Sequence, residues 1–238
     1  MSAVLMSTVL TPRTVSYPER DGQPMGETDT HRLAMVRFIE LLTRHYAGQQ
    51  VYVSGDLLVY YVEGNPKKVV VPDAFIAKGV APGKRRIYKI WEEGKVPDLV
   101  IETTSRKTRL NDLHDKSDLY ASLGVQEYFL FDPEGDYLDP PLQGRRLNGA
   151  TYESIPPNAE GRLPSRELEM TLCIENGDVQ FYRDDTGERL LDGFEYGEQQ
   201  RIAFDAEAVA RRRAEDARLA AERELAELRA ELARKGIQ

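Results

Sequence analysis

The stretch Pro97-Asp98-Leu99-Val100-Ile101-Glu102-Thr103-Thr104-Ser105 decides the reading of this chain. Leu99 to Ile101 is a continuous apolar run, which reads as a strand buried on both faces. The run ends in Glu102, and a buried carboxylate is costly unless a hydrogen bond, a charge or a metal compensates it. A helix is predicted over 110–122, closed by Gly124. On a wheel of about 100° per residue, Leu110, Leu113, Tyr120 and Leu123 share one arc, with Asn111, Asp115 and Asp118 facing away. Lys116 lies inside the apolar arc. Either its stem is buried while the ammonium escapes to water, or it meets Glu102 in a partly buried polar site.

Working outward, Val125 to Phe131 is another apolar strand, closed by Asp132-Pro133. Strand, helix and strand with tight connections form a crossover unit, so the sheet is mixed and contains a parallel pair. Upstream, Val51 to Val53, Leu57 to Val62 and Val69 to Ala77 read as strands separated by Gly55-Asp56 and Gly64-Asn65-Pro66. Pro72 cannot donate to a ladder, so it marks an edge, a bulge or a strand start. Asp73 shares a face with Val71 and Phe75; taken alone, Pro72-Asp73 is a turn. Residues 79–96 read as a polar loop in which Trp91 either packs over the sheet edge, the favoured role, or contacts substrate. A helix is predicted from Glu27-Thr28-Asp29-Thr30 to about Tyr46, with its stripe at Leu33, Val36, Ile39 or Glu40, and Leu41.

Downstream, short strand signals at Arg146-Leu147, Tyr152 to Ile155, Leu172 to Ile174 and Val179 to Tyr182 suggest an antiparallel extension of the same domain. Residues 205–235 hold no Pro or Gly and are rich in Ala, Arg, Glu and Leu, which favours a long helix. Ala214, Ala217, Ala221, Leu225, Leu228 and Leu232 trace a heptad-like seam, suited to weak dimerisation or to docking a partner protein. Three divisions follow: an irregular lead-in over 1–26, an α/β domain over 27–200, and a helical tail over 201–238.

Among the 238 residues, 41% are apolar and 30% charged, a globular composition. No run approaches the roughly 18 apolar residues of a membrane span, and the N-terminal residues lack a secretory pattern. Cys173 is the only cysteine, read as a small core residue, and a reducing cytoplasmic setting is expected. The net charge of −8 argues against gripping nucleic acid by bulk electrostatics but leaves room for a local basic groove. Basic clusters stand at 84–86, 106–109 and 145–146. The second directly follows the Glu102 strand.

Two carboxylates on neighbouring strands beside a lysine suit Mg²⁺ or Mn²⁺ and phosphoryl chemistry. Pro72-Asp73, the Glu102 strand, Asp112-x-x-x-Lys116-x-x-x-Tyr120, Gly124-Val125-x-Glu127-Tyr128 and Asp132-Pro133 together resemble the restriction endonuclease family called Uma-two, of the PD-(D/E)XK nuclease superfamily. Asp21 to Met25, Leu138 to Gly144 and the helical tail are similar to one branch of it. The resemblance implies a restriction-endonuclease-like fold, a mixed sheet flanked by helices, with Asp73 and Glu102 as the metal pair in a DNA endonuclease. The lysine of that superfamily stands two residues past the glutamate, where this chain has Thr104; Lys116 is the expected stand-in. Glu27 is a candidate third metal ligand, though a helix-start role suits it better. His31 and His114 are either contacts to the site or surface or capping residues, and the second role suits each better. The alternative function is a catalytically silent nuclease-fold protein that binds or assembles through its tail. Paired-carboxylate hydrolysis of a sugar ranks below both, because Lys116 and the basic loop suit a phosphodiester.

Overall fold

The computed structural model describes residues 15–20, 28–105 and 108–234. The chain divides after Leu190 into two compact units.

The first unit is built on a six-stranded sheet. Its strands are β1 (Val51–Ser54), β4 (Ala74–Lys78), β6 (Leu99–Thr103), β7 (Glu127–Phe131), β8 (Leu142–Asn148) and β9 (Thr151–Ser154), in the order β1-β4-β6-β7-β8-β9. The β6–β7 pair is parallel, and every other pair in this sheet is antiparallel. The crossover between β6 and β7 runs through a π-helical turn at Asn111–Asp115 and then α3 (Lys116–Leu123). Gly124 ends α3 in the left-handed region at φ 87°, a conformation open to glycine.

Alternation along the strands makes two cores. On one face Leu99, Ile101, Phe129 and Phe131 pack with Phe38 and Phe181. Phe38 meets Phe131 and Phe181 edge-on, with centroids 6.0 Å apart in each case. Such pairs contribute about 0.5–1.5 kcal/mol beyond their area. On the other face Val100, Tyr128 and Leu130 pack with Tyr120 and Phe75.

Helix α1 (Asp29–His45) covers the first face, capped by Thr28, whose hydroxyl accepts from the His31 amide. The expected stripe holds at Ile39 and Leu41, which pack on the core, and is displaced in the first half of the helix. The buried residues are His31, Ala34, Phe38, Leu41 and Leu42, while Leu33 and Val36 are 64% and 52% exposed. One bulky aromatic, Phe38, outweighs two aliphatic residues in choosing which face turns inward.

The predicted strand over 69–77 breaks at Pro72 into β3 (Val69–Val70) and β4, which belong to different sheets. Within the predicted strand over 57–62, only β2 (Val59–Tyr60) pairs. With β3 and β5 (Tyr88–Lys89) it forms a small sheet. The polar segment 79–96 therefore holds structure, β5 and α2 (Ile90–Glu93), where Trp91 packs against Tyr17 at 5.3 Å. β10 (Leu163–Ser165), β11 (Met170–Glu175) and β12 (Asp178–Arg183) make a third, antiparallel sheet. Met170 and Leu172 of β11 face the core, which leaves Cys173 half-buried on the opposite face.

The second unit is dominated by α4 (Gly193–Arg234), 42 residues long. No described helix is long and apolar enough to cross a membrane.

Candidate active site

The β4–β6 register sets Ala74 opposite Ile101, so Asp73 and Glu102 follow at the end of the same strand pair. Asp73 occupies the bend before β4. Its Oδ2 accepts from the Thr103 amide at 2.7 Å, the peptide N–H immediately after Glu102. The bend is held from behind by the Asp56 amide, which donates to the Pro72 carbonyl at 2.9 Å. Gly55 is required there, because a Cβ would lie 1.9 Å from the Asp73 carbonyl oxygen and 2.7 Å from Ile39 Cδ1.

Glu102 is fully buried, on the α3 side of the sheet. Lys116 Nζ donates to its Oε2 and Tyr120 Oη to its Oε1, both at 2.7 Å. Two donors on two oxygens is the arrangement an ionised carboxylate takes. Lys116 Nζ also lies 3.4 Å from the Val71 carbonyl oxygen and 3.4 Å from Asp112 Oδ1. Its ammonium meets Glu102 rather than escaping along an apolar stem.

The π-turn explains why Leu110, inside the apolar arc of a regular helix, is not buried. The Lys116 amide bonds back to the Asn111 carbonyl, one residue further than in an α-helix. The extra residue rotates the preceding turn by about 100°. Leu110 is thereby 63% exposed, and Asp112 is buried. Carbonyls of the turn find partners on the sheet: Tyr128 Oη donates to Asp112 O at 2.9 Å, and Arg145 donates to Leu113 O at 2.9 Å and Ser117 Oγ at 2.7 Å. Neither Asp112 carboxylate oxygen has a well-formed hydrogen bond among the described residues. π-turns inside helices occur mostly at functional sites.

His31 is a second correction to the sequence reading. It is 3% exposed, neither a surface residue nor the cap itself, and its Nε2 lies 3.3 Å from Asp73 Oδ2. His114 is exposed. Thr104 is buried, its amide donating to Phe131 O at 2.6 Å. Glu27 lies outside the described residues, as do Arg106 and Lys107. Arg109 from the same basic cluster stands over the Tyr137 ring at 5.9 Å.

Electrostatically, three carboxylates surround one ammonium. Burial pushes Glu102 up to about 8, with Lys116 opposing and Asp73 and Asp112 adding to the rise. Burial also raises Asp112, with Lys116 and the Thr108 side chain opposing. Burial alone would lower Lys116, but Glu102, Asp112 and Asp73 outweigh it and raise the net value. Tyr120 is raised well above its ordinary range by burial and then by Glu102. Sites where burial and like charges converge in this way are enriched for function.

A cavity of about 830 Å³ lies elsewhere in the first unit, lined by residues that include Gln143, Arg162, Cys173 and Glu175. Two of its charged groups are engaged by Tyr182, which donates to Glu175 and carries Arg162 stacked over its ring at 3.7 Å. The carboxylate cluster is the stronger candidate.

The family model of Uma2, described as "Putative restriction endonuclease", matches residues 10–174. The chain belongs to the Uma2 family. The match spans all the residues named in the cluster, from His31 to Tyr120. Among solved structures, this Uma2 member is similar to a putative nuclease belonging to DUF820 from Anabaena variabilis, at 14% identity. That likeness covers 64% of this chain and 86% of the other, with a TM-score of 0.45. No curated protein matches the chain.

Proposed function

We propose that this Uma2 protein is a divalent-metal-dependent DNA endonuclease acting through Asp73, Glu102 and Lys116. The observation that carries the reading is the crowding of charge: among the described residues, Asp73, Glu102 and Asp112 converge on the Lys116 ammonium, with His31 Nε2 3.3 Å from Asp73 Oδ2. Among the described residues no three His, Cys, Asp or Glu side chains form a ready metal cage. Mg²⁺ suits such a site, because it is bound by one or two carboxylates together with substrate phosphates. The donor set is hard oxygen, as Mg²⁺ and Mn²⁺ prefer.

Asp73 and Glu102 would hold the cation. A carboxylate offers about four lone-pair sites, and Lys116 and Tyr120 occupy two on Glu102. When bound, the cation lowers the pKa of a coordinated water and neutralises charge on the phosphoryl oxygens. Tyr120 and Lys116 fix the Glu102 rotamer. Kept charged by its carboxylate neighbours, Lys116 orients the attacking water and offsets negative charge as the transition state forms. Asp112 holds the ammonium from the far side, at 3.4 Å. Arg109, which stands over the Tyr137 ring, would supply a local contact to backbone phosphate despite the net charge of −8.

One observation favours a second reading, a silent nuclease fold that serves as a binding module. Glu102 is fully buried with both oxygens engaged, and Thr104 stands where the superfamily lysine would be. The test incubates supercoiled, linear and single-stranded DNA with the protein in Mg²⁺ or Mn²⁺, beside Asp73→Ala and Glu102→Ala. Cleavage by the wild type alone is expected, with each variant losing more than the roughly 100-fold that outer-shell changes cost. Equal cleavage by all three would refute the assignment, and no cleavage by any would favour the binding module.

A further inference from the structure

Every residue of α4 from 196 to 232 is exposed, and the helix carries a continuous apolar stripe. The stripe steps by 3, 4 and 4 residues from Ala203 to Leu232, so it repeats every 11. Each stripe position up to 221 is alanine, and positions 225, 228 and 232 are leucine. An 11-residue repeat corresponds to about 3.67 residues per turn, so such a stripe stays on one side of a nearly straight helix over many turns. Ile202 and Phe204, 61% and 71% exposed, flank its start. Leu225, Leu228 and Leu232 are each about half exposed at its end.

The charges beside the stripe have a pattern of their own. At 100° per residue, one flank carries Arg211, Arg218 and Arg229, and the other carries Glu224, Glu227 and Glu231. Arg213 is the exception on the acidic flank, and Glu207 is the exception at the inner margin of the basic flank. Glu215 and Glu222, at the outer margin of the basic flank, pair within the helix to Arg218 at 3.2 and 3.8 Å.

We propose that α4 is a parallel, in-register homodimerisation helix, its occupant being α4 of a second copy of this chain. A parallel twofold sets the basic flank of each copy against the acidic flank of the other. Glu224 then faces the partner's Arg229, five residues further on, the spacing at which flanking charges meet in parallel coiled coils. An antiparallel pair would set glutamate against glutamate and arginine against arginine, which selects against that orientation. The alanine half lets the backbones approach closely, and the leucine half supplies the apolar burial. The repeat length gives a slight right-handed supercoil.

The test is sedimentation equilibrium on the full-length chain, and it does not depend on nuclease activity. A dimer is expected. Leu225→Glu with Leu228→Glu should give a monomer, with helix content and the melting of the first unit unchanged, because both side chains are exposed. Glu224→Arg and Arg229→Glu should each weaken the dimer, and the two together should restore it. Leu225→Cys in a Cys173→Ser background should oxidise to a cross-linked dimer. A monomeric wild type, a dimer indifferent to the leucine changes, or a dimer that Leu225→Cys fails to cross-link would overturn the proposal.

Discussion

Two buried glutamates stand on adjacent parallel strands and differ in almost everything else. Glu127 on β7 faces α1 and the third sheet. Arg146 reaches it at 2.7 Å, Ser165 Oγ at 2.5 Å, and the amides of Arg166 and Glu167 at 3.0 and 3.2 Å. Glu102 on β6 faces α3. It has Lys116 and Tyr120, and around it Asp73 and Asp112 add negative charge, for which Lys116 is the main balancing cation among the described residues, with His31 beside Asp73. Glu127 is a completed joint that ties β10 and the turn after it to the main sheet. Glu102 is charge held in an environment that raises its proton affinity. Burial of an ion is common to both, so burial alone does not mark function; the separating quantity is how fully the surroundings neutralise it.

The largest expected effect breaks the comparison at its structural end. Glu127→Ala should destabilise the fold by about 3–5 kcal/mol, because it leaves Arg146 half-buried without its partner. Glu102→Gln should leave the denaturation midpoint unchanged or raised while abolishing cleavage. Equilibrium denaturation beside a plasmid assay reads both, and a loss of stability as large for Glu102→Gln as for Glu127→Ala would erase the distinction.

Next in size, Gly55→Ala should cost stability at the upper end of roughly 1–3 kcal/mol, since its Cβ meets backbone rather than a flexible side chain. The displaced Asp73 bend should reduce cleavage as well. A fully active, equally stable Gly55→Ala protein would show that the bend tolerates movement. Lys116→Met should keep the fold, because Glu102 can take up a proton in place of its lost partner, and should cost cleavage about 100- to 1,000-fold. Unchanged activity in that variant would remove Lys116 from the chemistry.

These contrasts also show what the sequence carried. The crossover of β6, α3 and β7 was legible because long apolar runs and a glycine stop are strong local signals. The meeting of Lys116 with Glu102 was legible because a lysine inside an apolar arc needs a partner. Asp112 stands in the motif Asp112-x-x-x-Lys116 and, at i,i+4 from the lysine, on the same side of the wheel, but nothing local marks it as buried. The exposure of Leu110 was hidden, since a π-turn leaves no mark in a 3.6-residue periodicity and shifts every residue before it. For His31 the sequence favours the wrong one of the two roles it allows, because a histidine near a helix start fits a cap as well as a buried contact, and its neighbour Asp73 is 42 positions away in the chain. The small β2, β3 and β5 sheet is made of two-residue strands, too short for alternation to register.

A smaller effect follows from the raised pKa of Glu102. Its folded-state proton affinity exceeds that of an unfolded carboxylate. Its stabilising contribution is therefore complete below about pH 4.5 and is lost as the pH rises through about 8. On the proposed reading, a bound cation would replace the proton in that window. Mn²⁺ should accordingly raise the melting temperature more at a pH above 8 than at a pH below 7, and an equal rise at both would point to binding elsewhere.

The most direct test of the account is a calorimetric titration of Mn²⁺ into the wild-type protein and into Asp73→Asn, above pH 8. The account predicts saturable binding to the wild type that disappears in the variant, whose fold is intact because an amide can still accept from the Thr103 N–H. Binding of equal strength to both proteins, or to neither, would contradict it.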